Sequence, residues 1–190
     1  MRILRFDQLT LTPWKNGGGT TRELLCFPEG AGTDRFDYRI SLATISRDGP
    51  FSSFPGVDRT LALVEGEGVT LHVGADQRVV INEDTPVFQF PGELPVHAVV
   101  NAGTTMDFNV MTRRGHCRHQ FRIHYGELLP FECEADLTLV FCADIDFGLH
   151  APGPVRQFDS MVAGPGETVG VSCYSGCFFI VDINLEDGVL

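Results

Sequence analysis

Apolar residues alternate with polar or small ones along most of the chain, with a period of two rather than 3.6. Leu61 and Leu63, then Val69, Leu71 and Val73, follow this rhythm, as half-buried strands do. Glu65-Gly66-Glu67-Gly68 between them reads as a hairpin turn, and Gly74-Ala75-Asp76-Gln77 ends the second strand before a third over Arg78–Asn82. Phe54-Pro55-Gly56-Val57 places Pro and Gly where a type II turn needs them. Met106, Phe108 and Val110 form one face of a further strand, Asp107, Asn109 and Met111 the other. The second half continues the pattern over Leu137–Ala143, Val155–Phe158, Thr168–Cys173 and Phe178–Ile183, with turns such as Gly164-Pro165-Gly166-Glu167 between them. Helical periodicity is weak and confined to the surroundings of Phe6-Asp7-Gln8-Leu9. Short strands with frequent Gly and Pro turns predict an all-β sandwich or barrel.

The densest segment is Pro13-Trp14-Lys15-Asn16-Gly17-Gly18-Gly19-Thr20-Thr21-Arg22-Glu23, with the sole tryptophan beside three consecutive glycines. Such a run serves a turn, or a close approach that a Cβ would block. Two readings stand: a hairpin loop with Trp14 plugging a barrel end, or polar groups converging on a small ligand. It is not a phosphate loop, since neither Gly-Lys-Ser/Thr nor a helix-forming run follows.

Composition narrows the function. A chain of 190 residues, 43% hydrophobic and 21% charged, is globular. A formal net charge of -11 argues against nucleic acid or an anionic membrane as partner. The N-terminus shows no signal-peptide core and no apolar run reaches transmembrane length, so the expected location is cytoplasmic. The six cysteines are then expected to be reduced, apolar residues.

Gly66, followed by Phe90-Pro91-Gly92-Glu93-Leu94-Pro95-Val96-His97-Ala98-Val99-Val100-Asn101, is similar to the two signature blocks of cupin barrels. The metal-binding histidine pair of the first block would fall in Ser52–Pro55 and its glutamate at Arg59; none of those ligands is present. A cation in the carboxylate's place repels a divalent metal and attracts an anion. No metal and no cofactor are therefore expected. Arg59 suits two-point binding of a carboxylate, the alternative being a surface arginine paired with Asp58 or Glu65. Asp107 and Asn109 share a strand face, and whether it points inward is left open by the pattern alone. No nucleophile with an adjacent base is visible.

The Trp-Lys-Asn-Gly-Gly-Gly block, Phe51-Ser52-Ser53-Phe54-Pro55-Gly56-Val57-Asp58-Arg59 and Met106-Asp107-Phe108-Asn109-Val110-Met111-Thr112-Arg113 occur in an order and spacing that resemble the HutD/Ves family over roughly residues 1–115. Beyond about residue 116 the likeness is in length and strand rhythm only. The resemblance implies a bicupin: two small antiparallel, jelly-roll-like β-barrels, here 1–115 with the ligand pocket and 116–190, strands being open to exchange between the halves. It links the chain to bacterial histidine utilisation and implies a metal-free binder of a small carboxylate, formylglutamate- or urocanate-like, that senses or buffers a pathway intermediate. The expected ligand-binding residues are Arg59, Asn16, Thr20, Arg22, Asp107, Asn109 and Thr112, with no catalytic residue assigned. A metal-independent hydrolase or isomerase using Asp107 or Glu23 as base is the alternative, and a protein-interaction module the third reading. The second half is expected to be structural or to form a homodimer contact.

Overall fold

The computed structural model describes residues 1–32, 35–148 and 155–186. Among them there is no α-helix; one turn of 3-10 helix, Phe6–Gln8, stands where helical potential is weak in the sequence. The strands are β1 (Arg2–Leu4), β2 (Leu11–Pro13), β3 (Gly19–Phe27), β4 (Tyr38–Ile45), β5 (Gly49–Pro50), β6 (Val57–Glu65), β7 (Val69–Val73), β8 (Gln77–Ile81) and β9 (Val87–Pro91). They continue as β10 (Val96–Val100), β11 (Thr105–Arg113), β12 (Cys117–Tyr125), β13 (Leu128–Glu132), β14 (Leu137–Asp146), β15 (Ser160–Ala163), β16 (Thr168–Val171) and β17 (Ser175–Leu185). The expected all-β class is what the chain adopts.

Two compact units divide the chain: Thr10–His116, and Met1–Leu9 together with Cys117–Leu190. The first nine residues thus leave the half to which the sequence division at 115 assigned them. They do so because β1 pairs antiparallel with β15, Ile3 opposite Met161. The link is reinforced by the buried Asp159, which accepts from Arg5 Nη1 at 2.6 Å and from the Phe6 amide at 3.0 Å.

The unit Thr10–His116 has a six-stranded sheet, β2-β3-β4-β11-β6-β9, and a four-stranded one, β5-β10-β7-β8. Ile45, Leu61, Leu63 and Phe90 from the larger sheet pack with Val69, Leu71, Val73, Ile81, Val96 and Ala98 from the smaller, and this cluster is the core. Glu65–Gly68, expected as a hairpin turn, instead carries the chain from the larger sheet to the smaller: β6 pairs with β11 and β9, and β7 with β10 and β8. The hairpin lies between β7 and β8, where Gly74-Ala75-Asp76 ends one strand before the next. Gly56 adopts φ +75° and the Val57 amide donates to the Phe54 carbonyl at 3.2 Å, as a type II turn requires.

The other unit has a five-stranded sheet, β1-β15-β14-β17-β12, and a pair, β13-β16. Val140, Cys142, Phe178 and Ile180 of the larger sheet pack with Leu128, Val169 and Val171 of the pair. The strand expected at Val155–Phe158 lies instead at Ser160–Ala163. Phe158 has φ +68°, outside the extended region, so a turn occupies the position where apolar residues suggested a strand. All six cysteines are free.

Candidate anion-binding site

Residues opposite one another in an antiparallel pair share a face, so the register of the six-stranded sheet fixes what meets the core. The face that carries Leu61, Leu63 and Phe90 into the core carries three polar rows with them. Arg59 lies opposite Met111 and Phe90, and Met111 opposite Arg39. Leu61 lies opposite Asn109, which lies opposite Ser41. Leu63 lies opposite Asp107, which lies opposite Ala43. Arg59, Asn109 and Asp107 therefore follow one another along the inner face, which answers the orientation that the sequence leaves open.

Arg59 is 6% exposed. Its guanidinium lies over three rings, with centroids at 5.3 Å for Phe51, 5.4 Å for Phe54 and 4.9 Å for Phe90. Its polar contacts are long: Nη1 to the Ser52 carbonyl at 3.4 Å and Nη2 to Asn109 Oδ1 at 3.5 Å. Nε has no partner among the described residues. The surface-arginine alternative is excluded by this burial, and Asp58 is engaged elsewhere, by Arg114 at 2.5 Å. Burial, with the neighbouring Arg39 charge, lowers the Arg59 pKa to about 10, which still leaves it protonated at neutral pH. A desolvated cation with no carboxylate facing it is costly to keep. A small anion would supply the missing partner.

The segment 51–58 frames this cation. The Phe51 amide donates to Val96 O and the Phe54 amide to Gly92 O, while Arg114 reaches Asp58 and Glu93 at 2.5 Å each. Those ion pairs hold Arg114 above and Glu93 below their ordinary pKa values.

Asp107 is fully buried, and both carboxylate oxygens lack a hydrogen-bond partner among the described residues. Burial raises its pKa to about 7, against a lowering contribution from the nearby Thr105 hydroxyl, which itself donates to the Glu65 carbonyl at 2.9 Å.

The other expected ligand residues do not join this face. Thr20 and Arg22 lie opposite Thr44 and Leu42 on β4, and Thr112 opposite Tyr38 and Asp58, all in the alternate register that points to the sheet's other side. Asn16 is exposed, and its Oδ1 accepts from the Gly18 amide at 3.0 Å, closing its own turn. Glu23, the alternative base, does share this face, opposite Ser41, but it is exposed and held by Arg39 at 2.7 Å. Trp14 donates from Nε1 to the Thr21 hydroxyl at 2.7 Å and packs against the core. A Cβ on Gly19 would run into the Thr44 carbonyl and lie 3.1 Å from the Trp14 ring, so that glycine serves packing.

His97, at the cupin metal-histidine position, is exposed and pairs across the strands with His72. Among the described residues no group of three His, Cys, Asp or Glu side chains could hold a metal ion. Arg39, Ser41, Phe51, Phe54 and Phe90 join the site without having been singled out; the two first phenylalanines lie in the Phe51–Arg59 block itself. The second unit carries an open groove of about 490 Å³, in which Arg118 and Arg122 face Glu132, Glu134 and Asp182. No helix among the described residues is long and apolar enough to cross a membrane.

A sequence model of the HutD family matches residues 7–173. The chain belongs to the HutD family. The match extends well past residue 115, where the recognisable motifs end. Protein Ves of Cronobacter sakazakii is 38% identical over 124 residues, covering 65% of this chain and 66% of that protein. An uncharacterised 21.2 kDa protein in the hutC 3' region of Pseudomonas putida is 37% identical over 112 residues, 58% of this chain and 57% of that one. Aligned stretches thus span less than two thirds of these curated relatives, 66% of one and 57% of the other. HutD from Pseudomonas fluorescens SBW25, solved in a formate condition, superposes with a TM-score of 0.81 at 25% identity, covering 97% of this chain and 98% of that one. Vicilin from Solanum melongena, 8% identical with a TM-score of 0.62 over 97% of this chain and 84% of its own, shares the fold.

Proposed function

We propose that this HutD-family protein binds a small carboxylate in the Thr10–His116 unit, with Arg59 as the anchor. The supporting observation is that guanidinium: buried, charged, framed by three aromatic rings and without an anionic partner. Its five fixed donors match a carboxylate in two-point geometry, and Asn109 is placed to orient a ligand oxygen. One relative is named for the hutC 3' region and another is HutD itself. The ligand is on that footing an intermediate of histidine breakdown, formylglutamate- or urocanate-like, which the protein senses or buffers. A thermal-shift panel of such intermediates tests this. A ligand at a hundredfold its Kd adds about 2.7 kcal/mol of stability, and a panel with no shift at millimolar concentration refutes the reading.

A second reading rests on Asp107. A buried carboxyl with a pKa of about 7 can take and return a proton at neutral pH, as a metal-independent isomerase or hydrolase requires. Turnover of a panel compound by the pure protein, followed by proton NMR and lost in Asp107→Asn, would establish it.

A further inference from the structure

We infer that Asp107 is the second recognition point of this site, and that the site selects carboxylates carrying an N–H donor a short spacer away from the carboxylate. The inference rests on the Arg59 reading above and adds to it the chemistry of the ligand's far end. Two observations carry it. Arg59, Asn109 and Asp107 occupy successive rows of one inward face, with Asn109 and Asp107 two residues apart on β11, which is roughly 7 Å. Asn109 already meets the guanidinium, so Asp107 lies one step farther along the same face. The second observation is that both Asp107 oxygens are buried and unsatisfied, beside Leu63 and Ala43 across the strands. Buried polar groups are nearly always paired, and here the polar neighbour on the same strand, the Thr105 hydroxyl, gives its hydrogen bond to the Glu65 carbonyl instead.

The donor character follows from the inventory of a carboxyl group. Ionised, it only accepts; protonated, one oxygen still accepts. An N–H on the ligand is satisfied in either state, whereas a ring oxygen or a methyl is not satisfied by the ionised form. A carboxylate at Arg59 and a donor at Asp107 would together fill the hydrogen-bond vacancies of the face. Molecules of that class include an imidazole or an amide on a short carboxylic arm. The ordering is also directional, since the anionic end of the ligand would be repelled from Asp107 and drawn to Arg59.

Titration calorimetry on the full chain with two matched probes tests the inference. Urocanate and 3-(2-furyl)acrylate share the acrylate arm and differ in an imidazole N–H against a ring oxygen. The wild type is expected to bind urocanate at least tenfold more tightly. Asp107→Leu, close in shape but without an acceptor, should bring the two within threefold of each other; Asp107→Ala carries the same expectation should the leucine variant fail to fold. Equal affinities in the wild type, a preference for the furan, or a urocanate preference that survives both substitutions overturns the assignment. Furylacrylate binding that is lost in Arg59→Ala, without any preference between probes, overturns the Asp107 role alone. Absence of binding by both probes, or binding indifferent to Arg59→Ala, overturns the Arg59 reading and this inference with it.

Discussion

Asn109 Oδ1 stands 3.5 Å from Arg59 Nη2, at the outer limit of a hydrogen bond. The guanidinium is therefore located but not neutralised, and the stability of the empty protein bears the cost. Arg59→Met should raise the melting temperature of the ligand-free protein, because a buried charge gives way to an apolar side chain of similar length. In the same experiment Arg59→Ala should cost about 2–5 kcal/mol of carboxylate binding, and Arg59→Lys should recover only part, since an ammonium lacks the planar two-point fork. A methionine variant less stable than wild type would mean that the aromatic frame depends on the cation.

Asp107 predicts a pH dependence of definite sign. Its pKa is about 7 in the folded chain and near 3.9 when unfolded. The folded state thus holds the proton more firmly, so this residue's contribution is fully present below about pH 4 and is lost as pH rises through about 7. The difference amounts to roughly 4 kcal/mol at most, at 1.36 kcal/mol per unit. Asp107→Asn should accordingly be more stable than wild type at pH 8, with the gap closing by pH 4.5. Chemical denaturation of both proteins across that range is the measurement, and a constant gap would contradict it.

Arg114 lies outside the site but ties Asp58 and Glu93 beside the frame of Arg59. Exposed ion pairs add little to global stability. Arg114→Ala should leave the melting temperature nearly unchanged while weakening carboxylate binding several-fold, through looser placement of Phe51 and Phe54. Raising the salt concentration should weaken binding in the wild type more than in the variant. Equal affinity in both proteins at low salt would show that the 51–58 segment holds itself.

Gly19→Ala pushes a methyl into the Thr44 carbonyl and the Trp14 ring. Overpacking of this kind costs about 1–3 kcal/mol. Trp14 is the sole tryptophan, so its emission should shift to the red as the ring is displaced from the Thr21 hydroxyl. An unshifted spectrum with unchanged stability would rule out Gly19 as a packing residue.

Asp159 accepts from Arg5, from the Phe6 amide and, at 3.0 Å, from the Arg156 amide. Asp159→Ala removes the buried acceptor shared by these three donors and should destabilise the unit by about 1–3 kcal/mol. Hydrogen exchange should rise first at residues 2–4 and 160–163, with the Thr10–His116 unit unaffected. Uniform loss of protection would contradict this.

The period-two pattern was sufficient for the strands β6 and β7, because Leu61, Leu63, Val69 and Leu71 are local signals that neighbouring turns punctuate. It did not reveal that the Glu65–Gly68 turn passes from one sheet to the other, since a turn signal carries no information about which strand pairs next. It failed at Val155–Phe158, where apolar side chains are buried by a turn, and composition alone does not distinguish the two. Arg59 was legible as an oddity, a cation opening an apolar strand. The neighbours that surround it come from β4, β9 and the 51–56 segment, and only strand register brings them together. Register is also why Thr20, Arg22 and Thr112 seemed suitable: each lies next to an inward residue in sequence, and a shift of one residue reverses the face. The pairing of β1 with β15 carries no local signal, since its partners are more than 150 residues apart.

That pairing has a consequence for the order in which the chain comes off the ribosome. At about 5–20 residues per second, Arg2–Leu4 emerges many seconds before Ser160–Ala163, which it must join. Throughout that interval a strand with bare edges travels ahead of a unit to which it does not belong. A tag or fusion placed before residue 2 would then delay the closing of the unit completed last, leaving the Thr10–His116 unit to fold on schedule.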